Sequence, residues 1–404
     1  MFADALPIYP LYALFFVDSG LSDGEVSALF AIWSLSSILA EVPFGALADR
    51  CSRRGALAAA GVLQAAGYGL WMSWPGFAPF AGGFVLWGLS GALVSGTLEA
   101  LVYDGLAAVE AEDRFARALG RIKATQLLSQ LPAAAAATVL FTLGGYRFAG
   151  WASVGCCLVA AAIASRLPEP PRFATVDSPP VGNESVPNRR RLAATDGRAP
   201  GAGSDSPDES EPDESERAGD DSYLATLRAG LREAAARPAV RAALTAVAVL
   251  GSLDALEEYF SLLAHDWGVA VATIPLALIA IPLVGAAGAA LGGRANGVRP
   301  RTLAITLAAA ALALGAAGLV RLPIGVVAVA LFYGLYHLVL VVLETQLQER
   351  IEGHARATVT SVAGLGIELL TLGIYVIWVA GGAVLMAALL LIVAAALPRL
   401  VRVR

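Results

Sequence analysis

The stretch "LDALEEYF", residues 253–260, carries Asp254, Glu257 and Glu258 at i, i+3 and i+4 inside an otherwise apolar run. On an α-helix that spacing puts three carboxyls on one face. Other acids recur in the same setting. Glu344 shares a helical stripe with Tyr333, His337 and Gln348, Glu99 one with Ser95 and Tyr103, and Glu368 one with Ser361, Gly364, Thr371 and Tyr375. Glu41 follows Ser37 and precedes Pro43, and Lys123, Gln126 and Gln130 make a further polar stripe. An acid within a long apolar helix is costly unless it faces a cavity or a partner. Out of water a carboxyl favours its neutral form, so it can carry a proton. The chemistry these residues could do is therefore binding of a polar solute and carriage of a coupling proton. Glu257 and Glu258 are the first candidates, then Glu344 and Glu99, with Asp254, His337, Tyr333, Gln126 and Glu368 completing the set.

The elements that must position them are membrane helices. The chain of 404 residues is 57% hydrophobic and 15% charged, with mean hydropathy +0.68, whereas soluble domains carry about 25% charged residues. Apolar runs near 20 residues recur along its length, the mark of spanning helices. Alternating strands of an outer-membrane barrel are absent. Twelve spans are expected, near 2–18, 25–47, 55–74, 79–103, 118–143 and 147–167, then 237–263, 270–292, 301–320, 323–347, 356–379 and 381–398. Gly381 and Gly382 allow a tight hairpin between the last two. The opening residues lack a basic segment and a small-residue cleavage site, so they read as a short first span rather than a signal peptide.

Three organisational units follow: 1–167 as a first six-helix bundle, 168–222 as a linker, and 223–404 as a second bundle preceded by an amphipathic helix. The linker is rich in Pro, Ser, Gly and acids, and from Asp205 to Asp221 it has nine acids and one arginine. Such a segment buries too little to offset its ordering entropy, so it is expected to be disordered. Leu224, Leu227 and Leu231 line one face of the segment after it, with Arg228 and Arg232 opposite. The net charge of -5 thus arises in the linker. Elsewhere arginines gather in alternate loops, at Arg50, Arg53, Arg54, Arg114, Arg117, Arg294, Arg299, Arg301, Arg350 and Arg356. The positive-inside rule makes that side cytoplasmic, together with both termini and the linker.

The two halves carry traces of duplication. "GALADRCSRRGAL" (45–57) faces "AALGGRANGVRPRTL" (289–303), aligning Arg50 with Arg294, and "TLEALVYD" faces "VLETQLQE", aligning Glu99 with Glu344. Paired six-helix halves are the arrangement of transporters that rock around a midplane site. Here the sequence resembles the major facilitator superfamily. The best of its signatures matches at Gly45, Leu47, Ala48, Asp49, Arg50, Arg53 and Arg54, with Ser52 where a glycine is usual. "EVPFGALADR" with "SGTLEALVYD" looks most like the drug-efflux-like branch. The resemblance implies an all-α fold of twelve helices in two pseudo-symmetric bundles. It also implies that Asp49, pairing across the turn or with the facing end of the eleventh span, latches the halves on the cytoplasmic side and favours the outward-open state. Two features depart from the proton-coupled members: Trp87 stands where an arginine is common, and Pro132 is surrounded by alanines rather than by the antiporter signature.

No nucleotide loop, metal spacing or nucleophile constellation is present, and Cys51, Cys156 and Cys157 read as packing residues. An enzyme, a resident cofactor and a nucleic-acid partner are therefore not expected. The expected partners are the lipid bilayer, a small-molecule substrate and a coupling ion, proton or sodium, with the protein a monomer in the plasma membrane. Efflux of an amphipathic compound competes with uniport or symport of a small metabolite, and with a non-transporting sensor or scaffold on the same fold. The acids also have plain structural alternatives. Glu257 and Glu258 can be solvated at the outer end of their span. Glu99, Asp104 and Glu344 can pair with Arg114, Arg117 or Arg356 near the cytoplasmic ends, and His337 can be a packing residue.

Overall fold

The computed structural model describes residues 6–50, 52–95, 97–109, 111, 114–168, 238–295, 297–350 and 356–401, with backbone only for 42, 45–50, 116, 123, 124, 127, 239, 356–358, 360, 361 and 401. The expected linker and the amphipathic segment 223–237 lie outside these residues, apart from Pro168. Every regular element among the described residues is a helix.

The first span winds up late. Residues 7–11 form turns and α1 covers Tyr12–Asp18. Pro7 and Pro10 lack the N–H an α-helix needs, and Tyr9 and Leu11 instead donate to the carbonyls of Leu6 and Ile8, three residues back. α2 runs Asp23–Arg50, 28 residues or roughly 42 Å. Its start is a capping box: the Glu25 carboxylate accepts from the Ser22 N–H at 2.9 Å, and the Ser22 hydroxyl accepts from the Glu25 N–H at 3.3 Å. α3, Arg53–Ser73, is capped by Ser52, which accepts from the Gly55 N–H.

The expected fourth span is divided. α4 covers Phe77–Val94 and ends at Ser95, whose ψ of 122° leaves the helix, and α5 covers Thr97–Ala107. The fifth and sixth expected spans are one long helical stretch, α6 (Phe115–Ala164), broken at Gly144 and Gly145. Gly145, at φ 62° and ψ -156°, occupies a region that only glycine enters cheaply. The expected seventh span is composite: α7 (Pro238–Gly251), a 3₁₀ segment (Ser252–Tyr259) and α8 (Phe260–Asp266). The eighth is α9 (Ile274–Leu278) followed by α10 (Ala280–Arg294). α11 covers Pro300–Val320 and α12 Gly325–Arg350. The hairpin expected at Gly381–Gly382 is a break at Gly382 inside α13, Arg356–Val401.

Among the described residues six stretches are long and apolar enough to cross a membrane, Phe77–Ala107, Leu128–Ala164, Val271–Arg294, Pro300–Val320, Gly325–Arg350 and Val362–Leu400. Two of them contain the glycine breaks just described. The protein is thus a multi-pass membrane protein.

Helices up to residue 168 pack chiefly on one another, as do those from residue 238 onward. Small residues allow close backbone approach, the usual device where lipid removes the hydrophobic drive for helix association. A Cβ on Gly288 of α10 would collide with the backbone carbonyl of Gly334 in α12, and one on Gly67 would come within 2.8 Å of the Gly83 oxygen. The first half adds an aromatic cluster. Tyr12, Phe16, Phe80 and Phe84 surround the fully buried Trp71, whose indole N–H donates to the Phe80 carbonyl at 3.0 Å.

Candidate functional site

The acids of "LDALEEYF" lie on the 3₁₀ segment rather than on an α-helix. A Cβ on Gly251, where α7 ends, would strike Ile367, so the chain approaches α13 closely just as it tightens. A 3₁₀ helix has three residues per turn, so Asp254 and Glu257 stack while Glu258 is turned roughly 120° away. The single three-carboxyl face expected of an α-helix is therefore split in two.

The stacked pair meets α12. The Tyr336 hydroxyl donates to Asp254 Oδ1 at 3.0 Å, and the Tyr333 hydroxyl lies 3.4 Å from Asp254 Oδ1 and 3.3 Å from Glu257 Oε2. His337 Nε2 stands 3.4 Å from Asp254 Oδ1. The Tyr9 hydroxyl donates to Glu257 Oε1 at 3.2 Å. Tyr9 belongs to the first half and Glu257 to the second, so this carboxyl joins them. Asp254 keeps 50% of its side-chain surface accessible despite its place in the middle of a span, so this network borders open space.

Glu258 differs. It is 8% exposed and accepts no hydrogen bond from a described residue. It lines a cavity of about 110 Å³ with Glu257, Tyr9, Tyr333, Ser261 and Gln130, closed by apolar side chains of α6, α9 and α10. Tyr12 also lines it, and the Tyr12 hydroxyl is buried without a partner among the described residues. The cavity thus sits between the halves, with walls from both.

Other contacts join the halves between the α1–α2 connection and mid-helix. Ser27 and Tyr259 share a hydrogen bond of 2.8 Å, Phe30 packs edge-on against Tyr259 and tilted against Tyr375, and the Ser34 hydroxyl lies 3.4 Å from Glu368 Oε2. Tyr259 in turn stacks on Trp378 at 4.2 Å between centroids.

Of the expected site residues, the structure brings Asp254, Glu257, Tyr333 and His337 into one network and places Glu258 in the adjoining cavity. Glu368 is close by on the contact with α2. Glu344 is exposed on α12, two turns beyond His337, and Glu99 is exposed on α5. Neither lines the cavity, and Gln126 leaves that place to Gln130, one turn on. Glu258 is buried and Glu257 partly buried rather than solvated. His337 faces an acid rather than only packing. Asp104 does not take its partner from Arg114 or Arg117: it pairs with Arg53, which also donates to the Ala100 carbonyl at 3.0 Å. Arg53 and Arg54 are described, whereas the side chains of Gly45, Leu47, Asp49 and Arg50 lie outside the described residues. Sequence reasoning missed Tyr9 and the partnership of Tyr336 with Asp254. The only signal was the "PIYPLY" run, whose prolines mark an irregular turn.

The Major Facilitator Superfamily family model matches residues 1–372. The chain belongs to the Major Facilitator Superfamily. As a member of that superfamily it is a transporter rather than an enzyme. Comparison with curated protein sequences gives no match. Among solved structures, the chain is similar to a bacterial homolog of the human lysosomal transporter Spinster in an inward-facing and occupied conformation. The TM-score is 0.72 at 14% identity, covering 100% of this chain and 94% of that one. It is also similar to a D-xylose-proton symporter, with TM-score 0.63, 13% identity and coverage of 100% and 95%. A peptide transporter in complex with sulfate gives TM-score 0.65, 13% identity and coverage of 100% and 93%. At these identities the likeness is one of superfamily fold.

Proposed function

We propose that this superfamily member is a proton-coupled secondary transporter that moves a small organic solute across the plasma membrane by alternating access. In this reading twelve spans form two bundles, 1–167 and 223–404, joined by a cytoplasmic linker at 168–222. Both termini are cytoplasmic and the monomer is the working unit. The observation that carries the coupling is the Tyr9–Glu257 hydrogen bond across the halves. A hydrogen bond to an ionised carboxylate is about twice as strong as one between neutral groups. Protonation of Glu257 therefore weakens the link between halves, and deprotonation restores it. Tyr333 connects Glu257 to Asp254 and so to His337, which gives the proton a chain of exchangeable groups. The contacts from Ser27 to Glu368 hold the halves together toward the α1–α2 connection, which by the arginine distribution is the outer face. The half-exposed Asp254 supports an opening on the other side.

The drug-efflux-like motif and the apolar cavity wall favour an amphipathic solute. In the same reading Asp49 and Arg50 form the cytoplasmic latch of the opposite state, with the observed Arg53–Asp104 pair bracing the turn beside it. The experiment is proton movement in proteoliposomes driven by a panel of organic solutes. Solute-driven pH change that disappears in Glu257→Gln supports the reading. Solute transport with an unchanged pH signal in wild type and variant overturns the coupling.

A further inference from the structure

The cavity itself narrows the solute, on the reading that it is the transport site. Its described lining contains two carboxyls and no arginine, lysine or histidine. Glu257 is satisfied by Tyr9 and Tyr333. Glu258 is not: it is more than nine-tenths buried, lines the cavity, and has no donor among the described residues. A buried acceptor without a partner is costly, so a structure that keeps one in a cavity wall leaves a place for a donor that arrives from outside. Ser261, 6% exposed on the same wall, likewise makes no side-chain hydrogen bond with a described residue. Apart from the Gln130 amide and the Tyr12 hydroxyl, the remainder of the wall is apolar, from Leu131 of α6 to Ile279, Pro282 and Leu283 of α10 and its approach, and Tyr9 and Tyr333 present aromatic rings. A metal cation is a poor fit, since hard cations take six or more oxygens and no group of three His, Cys, Asp or Glu among the described residues could hold a metal.

We infer that the cavity binds a small amphipathic monoamine, whose ammonium is held by Glu258 and Ser261 and whose apolar body lies against Leu131, Ile279, Pro282 and Leu283. Ammonium supplies the donors that Glu258 lacks. The tyrosine rings add cation–π attraction. The two neighbouring acids then divide the work, with Glu257 tied to the proton network and Glu258 to the solute.

The test is isothermal titration of the purified full-length protein in detergent micelles, with heats into empty micelles subtracted. Three probes of nearly one shape are compared: 2-phenylethylammonium, 2-phenylethanol and 3-phenylpropionate. Saturable one-to-one binding of the ammonium is expected, with the alcohol and the carboxylate at least about tenfold weaker, as for loss of one buried charge pair. Glu258→Gln is expected to cost the ammonium at least about tenfold and to leave the alcohol unchanged, and Glu258→Asp to retain a preference for the ammonium. The inference is overturned if wild type binds no ammonium, if it binds the alcohol equally well, or if Glu258→Gln keeps the wild-type affinity. The comparison of probes on wild type stands even where a variant fails to fold. Proton movement in Glu257→Gln is read separately. Amine binding without coupling sinks only the coupling, and coupling without amine binding sinks only this inference.

Discussion

Replacing Tyr9 by phenylalanine removes one hydroxyl and leaves the ring, which contacts Tyr12 and Trp87 at 5.8 and 6.2 Å between centroids. What is lost is the one donor that the described residues of the first half offer to Glu257. Hydrogen bonds to charged groups contribute about 1.5–3 kcal/mol. At 3.2 Å the Tyr9 bond is longer than the usual 2.7–2.8 Å for O–H···O, so the lower end applies, about 1.5 kcal/mol. That is roughly a tenfold shift in a two-state equilibrium, away from the conformation in which the halves meet here. The assay is the spin-label distance distribution between Asp23 and Ala380, exposed positions at the start of α2 and just before the Gly382 break in α13. The shorter-distance population should fall by about an order of magnitude relative to the longer one. A double-mutant cycle with Glu257→Gln isolates the bond from the hydroxyl's other effects. The tenfold effect should shrink to about threefold or less in that background, because a neutral acceptor has less to lose. A population ratio that Tyr9→Phe leaves unchanged, or an effect of equal size in both backgrounds, would refute the reasoning.

Two more outcomes follow from the packing and the motif. Gly288→Ala should lower the thermal midpoint in detergent, at a cost of about 1–3 kcal/mol for overpacking, because the new methyl meets the Gly334 backbone rather than a side chain that can swing aside. Gly293→Ala on the same helix meets nothing within 4 Å and serves as the control; equal midpoints for the two variants would contradict the close crossing of α10 and α12. Asp49→Asn should shift cysteine-labelling accessibility toward the conformation open on the arginine-rich side. Unchanged labelling on both faces would remove the latch.

The all-helical, membrane-crossing character was legible because lipid imposes a simple rule, a run of apolar residues long enough to cross. The Gly381–Gly382 hairpin was legible too, since the combination of φ 53° and ψ -149° found at Gly382 is one that glycine enters cheaply. Departures occur where local winding changes. The 3₁₀ geometry of Ser252–Tyr259 begins where Gly251 closely approaches Ile367, a contact between residues more than a hundred positions apart that spacing does not reveal. Spacing alone therefore put Glu258 on the wrong face. The break at Ser95 has a similar character: nothing in "GALVSGTLEA" beyond a glycine and a serine marks it. Stripes on one helix were readable, as with Tyr333 and His337 on α12, but their partners were not. Periodicity says which residues share a face and is silent on which face they meet. Tyr9 for Glu257, Tyr336 for Asp254 and Arg53 for Asp104 are pairings that only the packed helices supply.

The central claim is that Glu257 links proton binding to the contact between the halves. The most direct measurement is internal pH in proteoliposomes loaded with wild type or Glu257→Gln, on addition of 2-phenylethylammonium or another transported solute. The account predicts a solute-driven pH change in wild type that is abolished in the variant, while solute exchange without a gradient persists. A pH change of wild-type size in Glu257→Gln would contradict it.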